Sequence, residues 1–156
     1  MSSKNYLSIY AKSFNWAGFF LPKRTYKNCS YLYDFCRVVD NIADDEDEIE
    51  IKKIKFQKFV SDFKQKNFKD PVIKNMWNII HEFNISLEII YDLFDGIESD
   101  IKQNVKIDTR KDLLIYCYRV AGTVGLMMAK ILKVSKKQSL KSAIDLGIAM
   151  QLTNIS

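Results

Sequence analysis

Turn-forming residues are scarce in this chain: 5 glycines and 2 prolines in 156 residues. That excludes a β fold built on tight turns. A single histidine, His81, leaves no histidine partner for a metal site and no Ser/His/Asp set. Near the end of a short predicted helix, His81 reads as a surface or capping residue. The three cysteines, Cys29, Cys36 and Cys117, lack metal-ligand spacing. Cys29 and Cys36, seven apart on one helical face, suit core packing, and free thiols fit a reducing compartment. The N-terminus has no signal-peptide pattern, and no run of 18 apolar residues occurs. The expectation is a cytoplasmic protein, at most peripheral to a membrane. There is no Gly-rich phosphate loop, internal repeat, strand alternation or hairpin signal. Nor do Lys/Arg clusters alternate with aromatics as in a nucleic-acid groove, so nucleic acid is not an expected partner.

What is present is apolar, aromatic and charged. Hydrophobic residues make up 47% and charged residues 28%, the balance of one globular domain of this length. Aromatics at 13% must pack together or line something. The net charge of +5 conceals an asymmetry: residues 40–50 hold seven acids and no base, and lysines dominate most of the rest. A dispersed lysine excess reads as solubility, and is also compatible with an anionic membrane surface or anionic substrates.

Apolar periodicity predicts an all-α chain of six to seven helices. A first helix spans 5–20 and stops at Pro22; a second spans 24–44. The acidic run 44–50 is a solvated turn or helix start. Further helices follow at about 49–66, 72–82, 85–100, 111–132, and from 137 to the end. Thr109 with Asp112 three residues later predicts a capping box at the start of the sixth.

Chemistry concentrates on the second helix. At about 100° per residue, Tyr33, Arg37, Asp40 and Asp44 fall within an arc of roughly 60°. Two carboxylates four apart repel by a few tenths of a kcal/mol (about 0.2–0.5) unless a cation lies between them. Hard oxygens of this kind suit Mg²⁺, and Arg37 is a fork for phosphate or for the aspartates. The plain alternative is a solvated acidic surface. Gly122 and Gly125 inside a helix cost about 1 kcal/mol each against Ala, which points to close approach by a neighbouring helix or by a ligand. Gln151 and Asn154 share a face with Ile148, Leu152 and Ile155, lining a cavity or capping a chain end.

Taken together, these segments resemble the squalene and phytoene synthase family of head-to-head prenyl synthases. The likeness runs from Ser13-Phe14-Asn15-Trp16 through Leu21-Pro22-Lys23 to Tyr33–Asp44. It resumes in Tyr-Cys-Tyr-x-Val-Ala-Gly-Thr-Val-Gly at 116–125, and closes in Leu146–Ile155. The resemblance implies an isoprenoid-synthase-type helical bundle with Mg²⁺ held by aspartate motifs that face each other across a cavity. It makes Asp40 and Asp44 the first metal motif, and Tyr33, Arg37 and Tyr116 the catalytic candidates. Val120, Val124 and Gly125 would line the prenyl pocket, Gln151 and Asn154 its polar end, and Ser13 and Phe14 its lid. The implied reaction joins two geranylgeranyl diphosphates into phytoene. The alternatives are squalene-type joining of farnesyl diphosphate, or a non-catalytic relative acting in protein assembly.

The chain departs from the family after Asn154, where the Leu-Arg-Asp segment opening the second aspartate motif does not follow. The expectation is a partial domain over 1–156, roughly the N-terminal half. It would expose an apolar face and be incompetent alone, as a fragment or as one half of an enzyme completed by a partner chain.

Overall fold

Six aromatic side chains decide how the helices meet. The computed structural model describes residues 16, 18–102 and 107–155. Among the described residues stand seven α-helices and no strand. They are α1 (Lys23–Asp44), α2 (Ile49–Lys64), α3 (Pro71–Glu82), α4 (Leu87–Ile101), α5 (Arg110–Cys117), α6 (Thr123–Ile131) and α7 (Lys137–Ile155). A π turn, Tyr118–Gly122, joins α5 to α6. The expected helix over 5–20 lies almost wholly outside the described residues.

Phe35 of α1 sits among Phe59 and Phe63 of α2 and Phe94 of α4, with ring centroids 5.6–6.0 Å apart. Phe56 meets Phe94 edge-on, and Phe63 stacks on Trp77 at 5.2 Å. These offset and edge-to-face contacts add to area burial by about 0.5–1.5 kcal/mol per pair. The Trp77 indole N–H donates to the Phe63 carbonyl at 3.0 Å, so even the polar edge of the cluster is satisfied. Much of the aromatic content therefore builds a core. Around it close Leu32 and Val39 of α1, Ile73 and Met76 of α3, Ile90 and Ile97 of α4, and Met127 and Ile131 of α6.

Local chemistry sets the helix starts. Asp70 caps α3 by accepting from Val72 and Ile73 backbone N–H groups, with Pro71 at the first helical position. Ser86 caps α4. The expected capping box at α5 is present: Asp112 N–H donates to Thr109 Oγ1 at 3.1 Å, and Thr109 N–H donates to Asp112 Oδ2 at 2.9 Å. The acidic run after α1 is a solvated turn in which Lys55 pairs with both Asp45 and Asp47. The Lys52 ammonium caps the end of α1 through the Ala43 carbonyl at 2.9 Å.

One expectation needs correcting. The predicted single helix over 111–132 is interrupted by the π turn. The cause lies in its two partners, α4 and α7. A Cβ on Gly96 of α4 would meet Val120 Cγ1 at 2.8 Å, and a Cβ on Gly147 of α7 would meet the Ala121 carbonyl oxygen at 2.4 Å. Adjacent residues thus press on two different helices, and the extra residue per turn accommodates both. The whole stretch Arg110–Ile131 is long and apolar enough, by length and composition, to cross a membrane, and about a third of its apolar window (33%) is buried against neighbouring helices. Last in the chain, α7 lies across the π turn and α6 and buries no side chain fully. Leu146, Met150 and Ile155 of α7, and Leu114 and Ile115 of α5, stand exposed.

Candidate active site

Burial of Leu32, Phe35 and Val39 fixes the rotation of α1 and thereby directs the stripe of Tyr33, Arg37, Asp40 and Asp44. Tyr33 and Asp40 are half-buried, while Arg37 and Asp44 are exposed. Among the described residues no ion pair or hydrogen bond claims the Arg37 guanidinium.

The Asp40 carboxyl is pushed up from 3.8 to about 6, first by burial, then by the charges of Asp44 and Asp100. Asp100 is the residue that sequence reasoning missed. It sits in the last turn of α4 and brings a third carboxylate, from a second helix, into the field of the α1 pair. Its own pKa is raised by burial and by the Asp44 charge, against a lowering hydrogen bond from Tyr116. A signal for it existed. An acid in a helix's last turn opposes the macrodipole, and Asp100 stands there next to buried Ile101. Such a placement is unfavourable unless another group uses the charge.

Tyr116 supplies that partner. Its hydroxyl donates to Asp100 Oδ1 at 2.8 Å. Burial, then the Asp100 charge, holds the phenol well above the usual tyrosine range, and a hydrogen bond from the Gln151 side chain pulls the other way. A hydrogen bond thus ties Asp100 on α4 to Tyr116 on α5, within the electrostatic reach of Asp40 and Asp44 on α1. Cys36, one turn before Asp40, has its thiol pushed up to about 12 by burial and by the Asp40 charge, so it is inert beside the site.

The other candidates are placed differently. Asn154 is exposed near the end of α7. Val124 is half-buried against the core, and Val120 meets α4 at Gly96. The two helix glycines make close approaches to α7. A Cβ on Gly125 would lie 2.4 Å from the Ala143 carbonyl oxygen, and one on Gly122 3.2 Å from Ile144. Of the two alternatives for these glycines, the described contacts are helix packing. Ser13 and Phe14 lie outside the described residues. A groove between α2 and α4, lined by Val60, Lys64, Tyr91 and Glu98, is separate from the carboxylates.

The donor set suits a hard divalent cation. It is all oxygen, and after burial the charge of Asp44 disfavours ionisation of both Asp40 and Asp100, a cost that a +2 charge relieves. Among the described residues no three His, Cys, Asp or Glu side chains converge closely enough to enclose an ion by themselves.

Comparison with known proteins follows the same lines. A family model described as squalene/phytoene synthase matches residues 7–156. The chain is 32% identical to a phytoene synthase of Pseudescherichia vulneris, an alignment covering 94% of this chain and 51% of that protein. It is also 32% identical over 126 residues to a presqualene diphosphate synthase of Sinorhizobium fredii, covering 80% of this chain and 45% of the relative. Among solved structures, a dehydrosqualene synthase in complex with ligand superposes with a TM-score of 0.68 at 29% identity, over 97% of this chain and 53% of that one. The chain thus spans about half the length of the curated relatives it matches. Its all-α architecture is that of squalene synthase-like proteins, and the chain belongs to the squalene/phytoene synthase family.

Proposed function

We propose that this chain carries the first metal-binding half of a head-to-head prenyl synthase site, joining two allylic prenyl diphosphates with loss of diphosphate. The observation that supports it is the half-buried Asp40, held beside Asp44 and Asp100 in a chain of this family. Asp40 and Asp44 would hold Mg²⁺, which when bound neutralises charge on the departing diphosphate. Arg37, exposed on the same stripe, offers a bidentate grip on diphosphate oxygens. Tyr33 and Tyr116 are the aromatic groups facing the reacting end, where ring faces and phenol oxygens favour positive charge. The apolar flank excludes water from a carbocation. Gln151 and Asn154 belong to the wall supplied by α7.

The preferred substrate is geranylgeranyl diphosphate, giving phytoene. Similarity to a presqualene diphosphate synthase keeps farnesyl diphosphate as the second candidate. Peripheral attachment to a membrane suits such apolar substrates and the lysine excess, and a partner chain completing the site belongs to the same reading.

The test is a reaction with radiolabelled geranylgeranyl and farnesyl diphosphates and Mg²⁺. It uses the 156-residue chain and, beside it, the chain extended along its reading frame. Hydrocarbon product from either form, abolished by Asp40→Asn and Asp44→Asn, is the expected result. Turnover that survives both substitutions overturns the assignment of those carboxylates. No product from either substrate in either form overturns the reaction.

A further inference from the structure

The Asp100–Tyr116 pair does more than fill space, because a phenol has only one proton to donate. In this structure that proton is directed at Asp100 Oδ1 across 2.8 Å. The oxygen's lone pairs are left to face away from Asp100. We propose that Asp100 is a positioning residue for Tyr116: by accepting the phenol's hydrogen bond it turns the hydroxyl so that the site meets lone pairs and the ring face, not a donor. The inference rests on the reaction proposed above and deepens it. Tyr116 turned this way favours positive charge developing on the prenyl chain, and has no proton with which to grip diphosphate. Atoms and charges balance trivially, since the proton stays on the phenol throughout.

Three features of α4 show that this pairing is set by the helix and is not an isolated contact. One turn before Asp100, Gly96 lets α4 approach so closely that a Cβ would meet Val120 Cγ1 at 2.8 Å and Arg119 Cβ at 3.0 Å. Farther back, the Tyr118 hydroxyl donates to Asp92 Oδ2 at 3.3 Å. Arg119 also reaches Asp95 at 3.8 Å. These contacts hold the helix pair in one register, which brings Asp100 level with Tyr116. A carboxylate accepts from the phenol through either oxygen and can donate nothing back, so the direction of the bond is unambiguous. An amide at the same place accepts through its oxygen but carries a competing N–H₂.

Two measurements test this, one free of turnover. With tyrosine labelled at Cζ, the carbon NMR resonance of Tyr116 is assigned by its loss in Tyr116→Phe, on the chain without substrate or metal. Asp100→Ala is expected to shift that resonance to the position of a phenol without a carboxylate partner, while Asp100→Asn moves it only part of the way. A resonance unmoved by Asp100→Ala overturns the pairing, whatever the enzyme does. The second measurement is a double-mutant cycle in the condensation reaction. Asp100→Ala should lower kcat by about 100-fold, the order expected for a misplaced catalytic group. KM should hold, and Asp100→Asn should recover part of the loss. Added to Tyr116→Phe, the same substitution should cost nothing more. Additive losses, or a loss seen in Mg²⁺ dependence and KM instead of kcat, overturn the positioning role. A shifted resonance in a wild-type chain with no turnover leaves the pairing standing and sinks the reaction it was assigned to.

Discussion

Asp40 carries a carboxyl whose charged form the fold disfavours. Its carboxyl ionises near pH 6 instead of 3.8, so the folded state resists the charged form. For an acid whose pKa is raised by folding, the associated stability is fully present below the unfolded value and is lost as pH rises through the folded one. In a metal-free buffer, Asp40→Asn should therefore raise stability at pH 7 by roughly 1–3 kcal/mol and leave it unchanged near pH 3. Urea denaturation at the two pH values checks this, and equal effects at both would contradict the account. Adding millimolar Mg²⁺ should raise the melting temperature of the wild type and leave that of Asp40→Asn nearly unmoved, because only the ionised carboxylate attracts the ion. Spacing put Asp40 and Asp44 on one face of α1 and left open whether they hold a cation or form a solvated surface. Asp100 was not legible, since nothing in a linear sequence says that the end of α4 meets the ends of α1 and α5. Its unfavourable position in the last turn of α4 was the available hint.

At the level of helices, capping and periodicity carried most of the information. The expected bounds 24–44 and 72–82, and the outer ends of 111–132, fall within a residue or two of the observed ones, because caps such as Asp70 and Thr109 and the start after Pro22 act locally. Thr109→Ala should cost about 1 kcal/mol, read by urea titration, with the loss confined to amides of α5 in hydrogen exchange. What periodicity could not give is the π turn, because it answers two partners at once. The glycines of this region were equally ambiguous until their neighbours were known. Gly147→Ala drives a methyl into the Ala121 carbonyl oxygen, a backbone atom that cannot rotate aside. We expect a loss of about 1–3 kcal/mol, where an open helical site would gain from the same change. A stabilised Gly147→Ala variant would show that α7 sits farther from the π turn than described.

Across the whole molecule, stability is unevenly shared. The aromatic cluster of α1, α2 and α4 is fully buried at Phe35 and Phe63, and α3 closes over it. Phe63→Ala should cost about 3–5 kcal/mol and collapse the near-ultraviolet circular dichroism, since it removes the ring shared by Phe35, Trp77 and Phe94. The fold class was readable from the sequence because these residues repeat at helical spacing. Which aromatics would cluster, and which would stand exposed, depended on contacts distant in the chain.

Helix α7 belongs to the other extreme. Small residues bring its backbone close to its neighbours, yet it sequesters no side chain. An element attached this way opens at a free energy well below that of global unfolding, so its amides should exchange with solvent sooner than those of α4. Gln151 travels with it. The phenol of Tyr116 thus has its hydrogen-bonded partner, Asp100, on a deeply buried helix, and Gln151 beside it on a shallow one. Whatever binds against α7 and suppresses that opening would tighten the Gln151 contact without touching Tyr116, a coupling carried by the occupancy of one helix and not by any change of shape.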